Sequence, residues 1–125
     1  MTLEHADLTE QIIGASITVH KALGPGFLES IYENALVIEL RERGLFVEQQ
    51  VEVPIFFKDH QVGKHRLDLL VEKLIVAELK TIKDFENIHF AITRSYLHSL
   101  NLKHGLLINF AQVQVETKRV MVRDR

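Results

Sequence analysis

The stretch RLDLLVEKLIVAELK, residues 66–80, constrains the fold more than any other part of the chain. It reads as two apolar strands joined by a short turn, in the Leu, Ile and Val that suit a buried pleated surface. Among them stand Asp68, Glu78 and Lys80. Desolvating a charge is costly unless it is paired, hydrogen-bonded or bound to a metal. A core hairpin with three charges must therefore also supply their partners.

Side chains alternate along a strand, so Glu78 and Lys80 share a face. Asp68 joins them only in certain registers. A three-residue turn at Glu72, Lys73 and Leu74 sets Asp68 opposite Glu78. A two-residue turn at Lys73 and Leu74 sets Leu79 opposite Asp68 and sends the carboxylates to different faces. In the first register the two acids stand about 5 Å apart at Cβ, a repulsive placement without a positive group between them. Lys80 is one such group. A divalent cation such as magnesium, which takes oxygen ligands and keeps several waters, is a better match. A metal there activates a water or stabilises a phosphoryl oxygen, with Lys80 orienting the nucleophile or neutralising developing charge, which is the chemistry of phosphodiester hydrolysis. The competing reading makes Glu78 and Lys80 a solvated same-face pair and Asp68 a strand-edge charge. The surrounding LDLLV and IVAELKTI, with few exposed polar positions, favour the site.

Around the hairpin the periodicity changes. Apolar positions at Leu8, Ile12, Ile13, Ser16, Ile17 and His20 recur at helical spacing until LGPG breaks the pattern. FLESIYENALVIELRERG repeats it through Leu28, Ile31, Tyr32, Ala35, Leu36 and Leu40, and Gly44 supplies the stop. LFVEQQVEVPIFF reads as a strand, KDHQVGK as a turn, and NIHFAITRSYLHSLNLK as a third helix capped by Asn87. LLINF and KRVMV close the chain as strands. The order helix, helix, three strands, helix, strand, strand predicts an α+β fold with helices packed on a mixed central sheet.

At 125 residues, 46% of them hydrophobic and 26% charged, the chain suits a single domain over residues 1–125. No apolar run is long enough to span a bilayer, and MTLEHADLTEQ lacks the layout of a secretion signal, so the expectation is a cytoplasmic protein without membrane contact. With no cysteine, any metal must bind oxygen or imidazole. A net charge of −2 gives no global pull toward nucleic acid, and the late basic residues Lys103, His104, Lys118, Arg119, Arg123 and Arg125 read as ordinary solvation. There is no Gly-rich phosphate loop, no Gly-x-Ser-x-Gly elbow and no His-Glu-x-x-His helix.

Gly26, Glu29 and Tyr32 in GFLESIY match the spelling of the GxxExxY protein family. VHKALGPGFLESIYENAL, DLLVEKLIVAELK and HGLLINF resemble it too, in the same order and from about Leu8 to Val122. That family is placed in the PD-(D/E)XK nuclease superfamily, whose restriction-endonuclease-like αβββαβ core agrees with the order read above. The resemblance implies a three-layer-like fold and a Mg- or Mn-dependent nuclease acting on DNA or RNA. It makes Asp68 and Glu78 metal carboxylates, the Leu79 carbonyl a further ligand, Lys80 the lysine of the Glu-x-Lys element, and Glu29 the helical acid that approaches the metal. Tyr32, one turn after Glu29, His89 and Tyr96 are accessory candidates. Relatives tend to carry a Gln four residues before the tyrosine of the later helix, where this chain has Ile92. That departure, with the negative net charge, keeps a second reading open: a nuclease-fold module acting as a nucleic-acid or protein adaptor. Cutting both strands of a duplex takes two sites, and so a homodimer.

Overall fold

The computed structural model describes residues 4–123. Helices α1 (Ala6–Leu23) and α2 (Glu29–Glu42) precede strands β1 (Val47–Phe57), β2 (His60–Val71) and β3 (Ile75–Lys80). Helix α3 (Asn87–Leu100) and strands β4 (His104–Asn109) and β5 (Glu116–Met121) follow. The five strands form one sheet in sequence order. All neighbours are antiparallel except β3 and β4, which run parallel because α3 carries the chain back between them. This is the expected mixed sheet flanked by helices.

Two apolar clusters place the layers. Ile12, Ala15 and Val19 of α1 and Tyr32, Leu36, Val37 and Leu40 of α2 pack with Leu69, Ala77, Leu79 and Ile108. Tyr96 and Leu97 of α3 pack with Leu70, Val76, Leu107 and Val120. The helix pair and α3 thus cover opposite faces, with odd-numbered residues of β3 turned to the former and Val76 to the latter.

The β1–β2 ribbon changes hands partway along. Val47, Leu69 and Val71 belong to the α1/α2 cluster, whereas Val51, Val53 and Leu67, of the same parity, belong to the α3 cluster. The switch falls where pairing runs from Gln49 with Leu69 directly to Val51 with Leu67. Gln50 has φ 54°, a left-handed backbone that a non-glycine residue adopts at a cost of roughly 1–3 kcal/mol. It lies next to Asp68.

Two local expectations are corrected. KDHQVGK is not a long turn: only Lys58 and Asp59, both at positive φ, turn the chain, and β2 already begins at His60. Pairing with β1, including Ile55 with Gly63, outweighs the weak strand propensity of this segment. Asn87 is not the cap of α3 but its first residue. Glu86 takes the cap because the His89 ring reaches back and its Nδ1 accepts the Glu86 amide at 2.8 Å.

Gly105 sets how closely α3 approaches β4. A Cβ there would lie 2.9 Å from Thr93 Cγ2 and 3.4 Å from Leu97 Cδ1. Thr93 is held in place by its hydroxyl bond to the His89 carbonyl at 3.0 Å. Gly105→Ala is expected to destabilise the fold by about 1–3 kcal/mol through overpacking, read as a lower urea midpoint with unchanged slope.

Candidate active site

The hairpin turn decides whether the carboxylates meet. Glu72 and Lys73 have φ 53° and 56°, and the Leu74 amide donates to the Val71 carbonyl at 3.0 Å, a turn of the I′ kind. Pairing then runs Val71 with Ile75, Leu70 with Val76 and Leu69 with Ala77. This is the three-residue register, and it carries Asp68 opposite Glu78.

Beyond Leu69 the side chains take over from the ladder. The Asp68 amide donates to Glu78 Oε2 at 2.6 Å, and the Leu79 amide donates to Asp68 Oδ2 at 2.8 Å. Each carboxylate thus holds the backbone of the opposite strand. Glu78 is 4% exposed and Asp68 is partly buried.

A third acid joins from α2, and the sequence reading missed it. Glu33 is 7% exposed. Its carboxylate accepts from Gln50 Nε2 at 2.8 and 2.9 Å and from Gln49 Nε2 at 2.6 Å, and Gln50 Nε2 also lies 3.5 Å from Asp68 Oδ1. The left-handed Gln50 therefore links the helical acid to the strand acid. The available signal was spacing: Glu33 follows Glu29 by four residues, one turn along the same helix.

The electrostatics follow from this arrangement. Burial, above all, pushes Glu78 up to about 8, with the Asp68 charge adding to it and Lys80 and the Asp68 amide opposing it. Burial likewise raises Asp68 to about 6, and the charges of Glu33 and Glu29 add, while the Leu79 amide and Lys80 oppose. Glu29 is shifted upward by desolvation and by Glu33, against Lys80. Burial and then the fields of Glu78 and Asp68 lift the Tyr96 phenol to about 12. Asp68, Glu78, Glu29, Lys80 and Tyr96 are thus brought into one electrostatic neighbourhood, with Glu33 added. Among the described residues no hydrogen bond or ion pair closes on the Lys80 ammonium, which acts on the acids through its charge alone; its carbonyl accepts the Phe110 amide at 2.9 Å.

Other candidates are engaged elsewhere. Glu29 is exposed while Tyr32, expected beside it, is fully buried. The Tyr32 ring stacks on Phe110 with centroids 4.6 Å apart, and its hydroxyl donates to the Gly24 carbonyl at 2.5 Å and accepts the Phe27 amide at 3.2 Å. His89 caps α3. Ile92 lies against the α3 cluster. The Leu79 side chain is core, and its amide is held by Asp68.

Four carboxylates against one lysine suit a divalent cation. The donors are oxygens, as magnesium and manganese prefer, and the upward shifts, caused first by burial and then by the neighbouring acids, mark ionised forms that a cation would stabilise.

Comparison with known proteins gives the same outline. Residues 6–120 match a family model, PDDEXK_3, described as PD-(D/E)XK nuclease superfamily. The crystal structure of SSO0001 superposes with a TM-score of 0.61 at 18% identity, over 97% of this chain and 61% of that one. The chain thus spans about three fifths of that protein's length, and the likeness is one of fold. No curated protein matches the sequence significantly.

Proposed function

We propose, from the premise that this chain belongs to the PD-(D/E)XK nuclease superfamily, that it hydrolyses phosphodiester bonds of nucleic acid with a divalent metal. The observation that carries this is the reciprocal clasp of Asp68 and Glu78 beside Lys80. Gly26, Glu29 and Tyr32 support placing the chain more finely in the GxxExxY family.

Asp68 and Glu78 would hold the metal, with Glu29 and the Leu79 carbonyl as further ligands and Glu33 fixing the acidic wall through Gln50. Magnesium or manganese, when bound, supplies Lewis acidity and lowers the pKa of a coordinated water. Lys80 balances charge that develops on the phosphoryl oxygens. Tyr96, whose proton is held tightly, serves as a hydrogen-bond donor rather than a base. A second reading, a binding module without catalysis, draws on Phe56, Phe57 and Val62, about 60% exposed each near the tip of the β1–β2 ribbon.

Calorimetric titration of magnesium and manganese into the wild type and into Asp68→Ala/Glu78→Ala separates the two, followed by incubation with single- and double-stranded DNA and RNA. Saturable binding that the double variant loses, together with cleavage, is the expected result. Metal binding without cleavage of any substrate would establish the binding module. Absence of metal binding at millimolar concentration, with no cleavage, would overturn the nuclease.

A further inference from the structure

We propose that Glu4, His5 and His104 form a second metal site, selective for a divalent transition metal of the zinc kind and independent of the acidic site. His5 Nε2 lies 3.2 Å from Glu4 Oε1, and His104 Nε2 lies 3.6 Å from the same oxygen. The three ligand atoms all fall within 4.8 Å of one another. Atoms bound at about 2.05 Å to a tetrahedral zinc stand about 3.3 Å apart. Both separations from the Glu4 oxygen are close to that edge, and the third, between the two Nε2 atoms, falls within 4.8 Å.

The chemistry of the donors selects the metal. Two imidazoles and one carboxylate are the donor set of open zinc sites and of related transition-metal centres, whereas magnesium prefers oxygen alone. A second observation points to a missing ligand. His104 Nε2 is buried and has no hydrogen-bond partner, in a side chain that is 13% exposed. A buried imidazole nitrogen without a partner is destabilising, and a metal would satisfy it. The two imidazole rings meet edge to face with centroids 5.2 Å apart, and both Nε2 atoms lie within 4 Å of the same Glu4 oxygen. Beside them is a cavity of about 10 Å³ lined by Glu4, His104 and Arg119, at the lower limit for one water, as an open coordination position requires.

The site lies apart from the acids. His104 pairs with Ile75 and Leu107 with Glu78, so three steps of strand, roughly 10 Å, separate the two places along the sheet. A metal here would tie the start of α1 to the first residue of β4.

The test titrates zinc, and cobalt as a spectroscopic substitute, into four forms of the whole chain: wild type, Asp68→Asn/Glu78→Gln, His5→Ala and His104→Ala. The expected result is one equivalent bound by Asp68→Asn/Glu78→Gln, with the intense visible band of tetrahedral cobalt, and the same band in the wild type in addition to any ion held by the acids. Affinity should fall in both histidine variants by more than the roughly 10–100-fold typical of outer-shell changes. His5→Ala decides the matter if His104→Ala fails to fold, since His5 precedes α1. Binding that survives in His5→Ala and vanishes in Asp68→Asn/Glu78→Gln would assign the ion to the acids and overturn the proposal. So would no zinc binding at all. Neither outcome bears on magnesium-dependent cleavage, which is read separately.

Discussion

Lys80→Met is expected to lower metal-dependent cleavage by about 10²–10⁴-fold while leaving magnesium affinity unchanged or raised. The two effects separate because Lys80 touches the site only through its charge. That charge opposes the upward shifts of Glu29, Asp68 and Glu78, so removing it leaves the acids more negative and no less able to hold a cation. Met keeps the apolar length of the stem, and β3 stays paired on both sides through its backbone. What is lost is the positive group set against charge developing during phosphoryl displacement. Glu78→Gln should behave differently, losing cleavage and metal binding together. Cleavage rates at saturating magnesium, with calorimetry on the same preparations, distinguish the two. Undiminished cleavage by Lys80→Met would remove the lysine from the mechanism.

Without metal, the protein should be most stable in mild acid and lose stability on going to neutral and slightly alkaline pH, with magnesium largely restoring it. The folded state raises Asp68 from its ordinary 3.8 to about 6 and Glu78 from 4.5 to about 8. A carboxyl raised on folding binds its proton more tightly in the folded state. Its favourable contribution is complete below the unfolded value, near pH 4, and is lost as pH rises through the folded one. Two mutually coupled acids spread that loss across roughly pH 4 to 8, with a combined effect on the order of a few kcal/mol. A bound divalent cation favours the ionised acids and so reverses the trend. Urea unfolding at several pH values, with and without magnesium, measures it. Stability that rises steadily from pH 4 to 8 without metal would show that the acids are not desolvated as described. Asp68→Asn/Glu78→Gln should flatten the apo profile.

The sequence made the hairpin legible because the same residues that form the core also limit the register: only one turn length lets LDLLV and IVAELK bury their apolar faces and bring the acids together. Element order was legible for the same reason, since period-four and period-two patterns alternate cleanly along the chain. Glu33 was not, because its meaning comes from Gln49 and Gln50 on another element, and no local pattern announces a left-handed residue in the middle of a strand. The length of β2 was hidden by Gly63 and Asp59, whose turn character is overridden by pairing with β1. Tyr32 was drawn toward Glu29 by spacing alone, although three residues on a helix separate an exposed acid from a side chain swallowed by Phe110.

The reciprocal clasp at Asp68 and Glu78 has an evolutionary side. Because each acid stands in for a missing rung between the two strands, a descendant that abandoned chemistry would still be penalised for losing either one. Lys80 carries no such architectural duty and would drift first. In chains of this type the lysine, rather than the acid pair, is therefore the position whose persistence reports selection for catalysis.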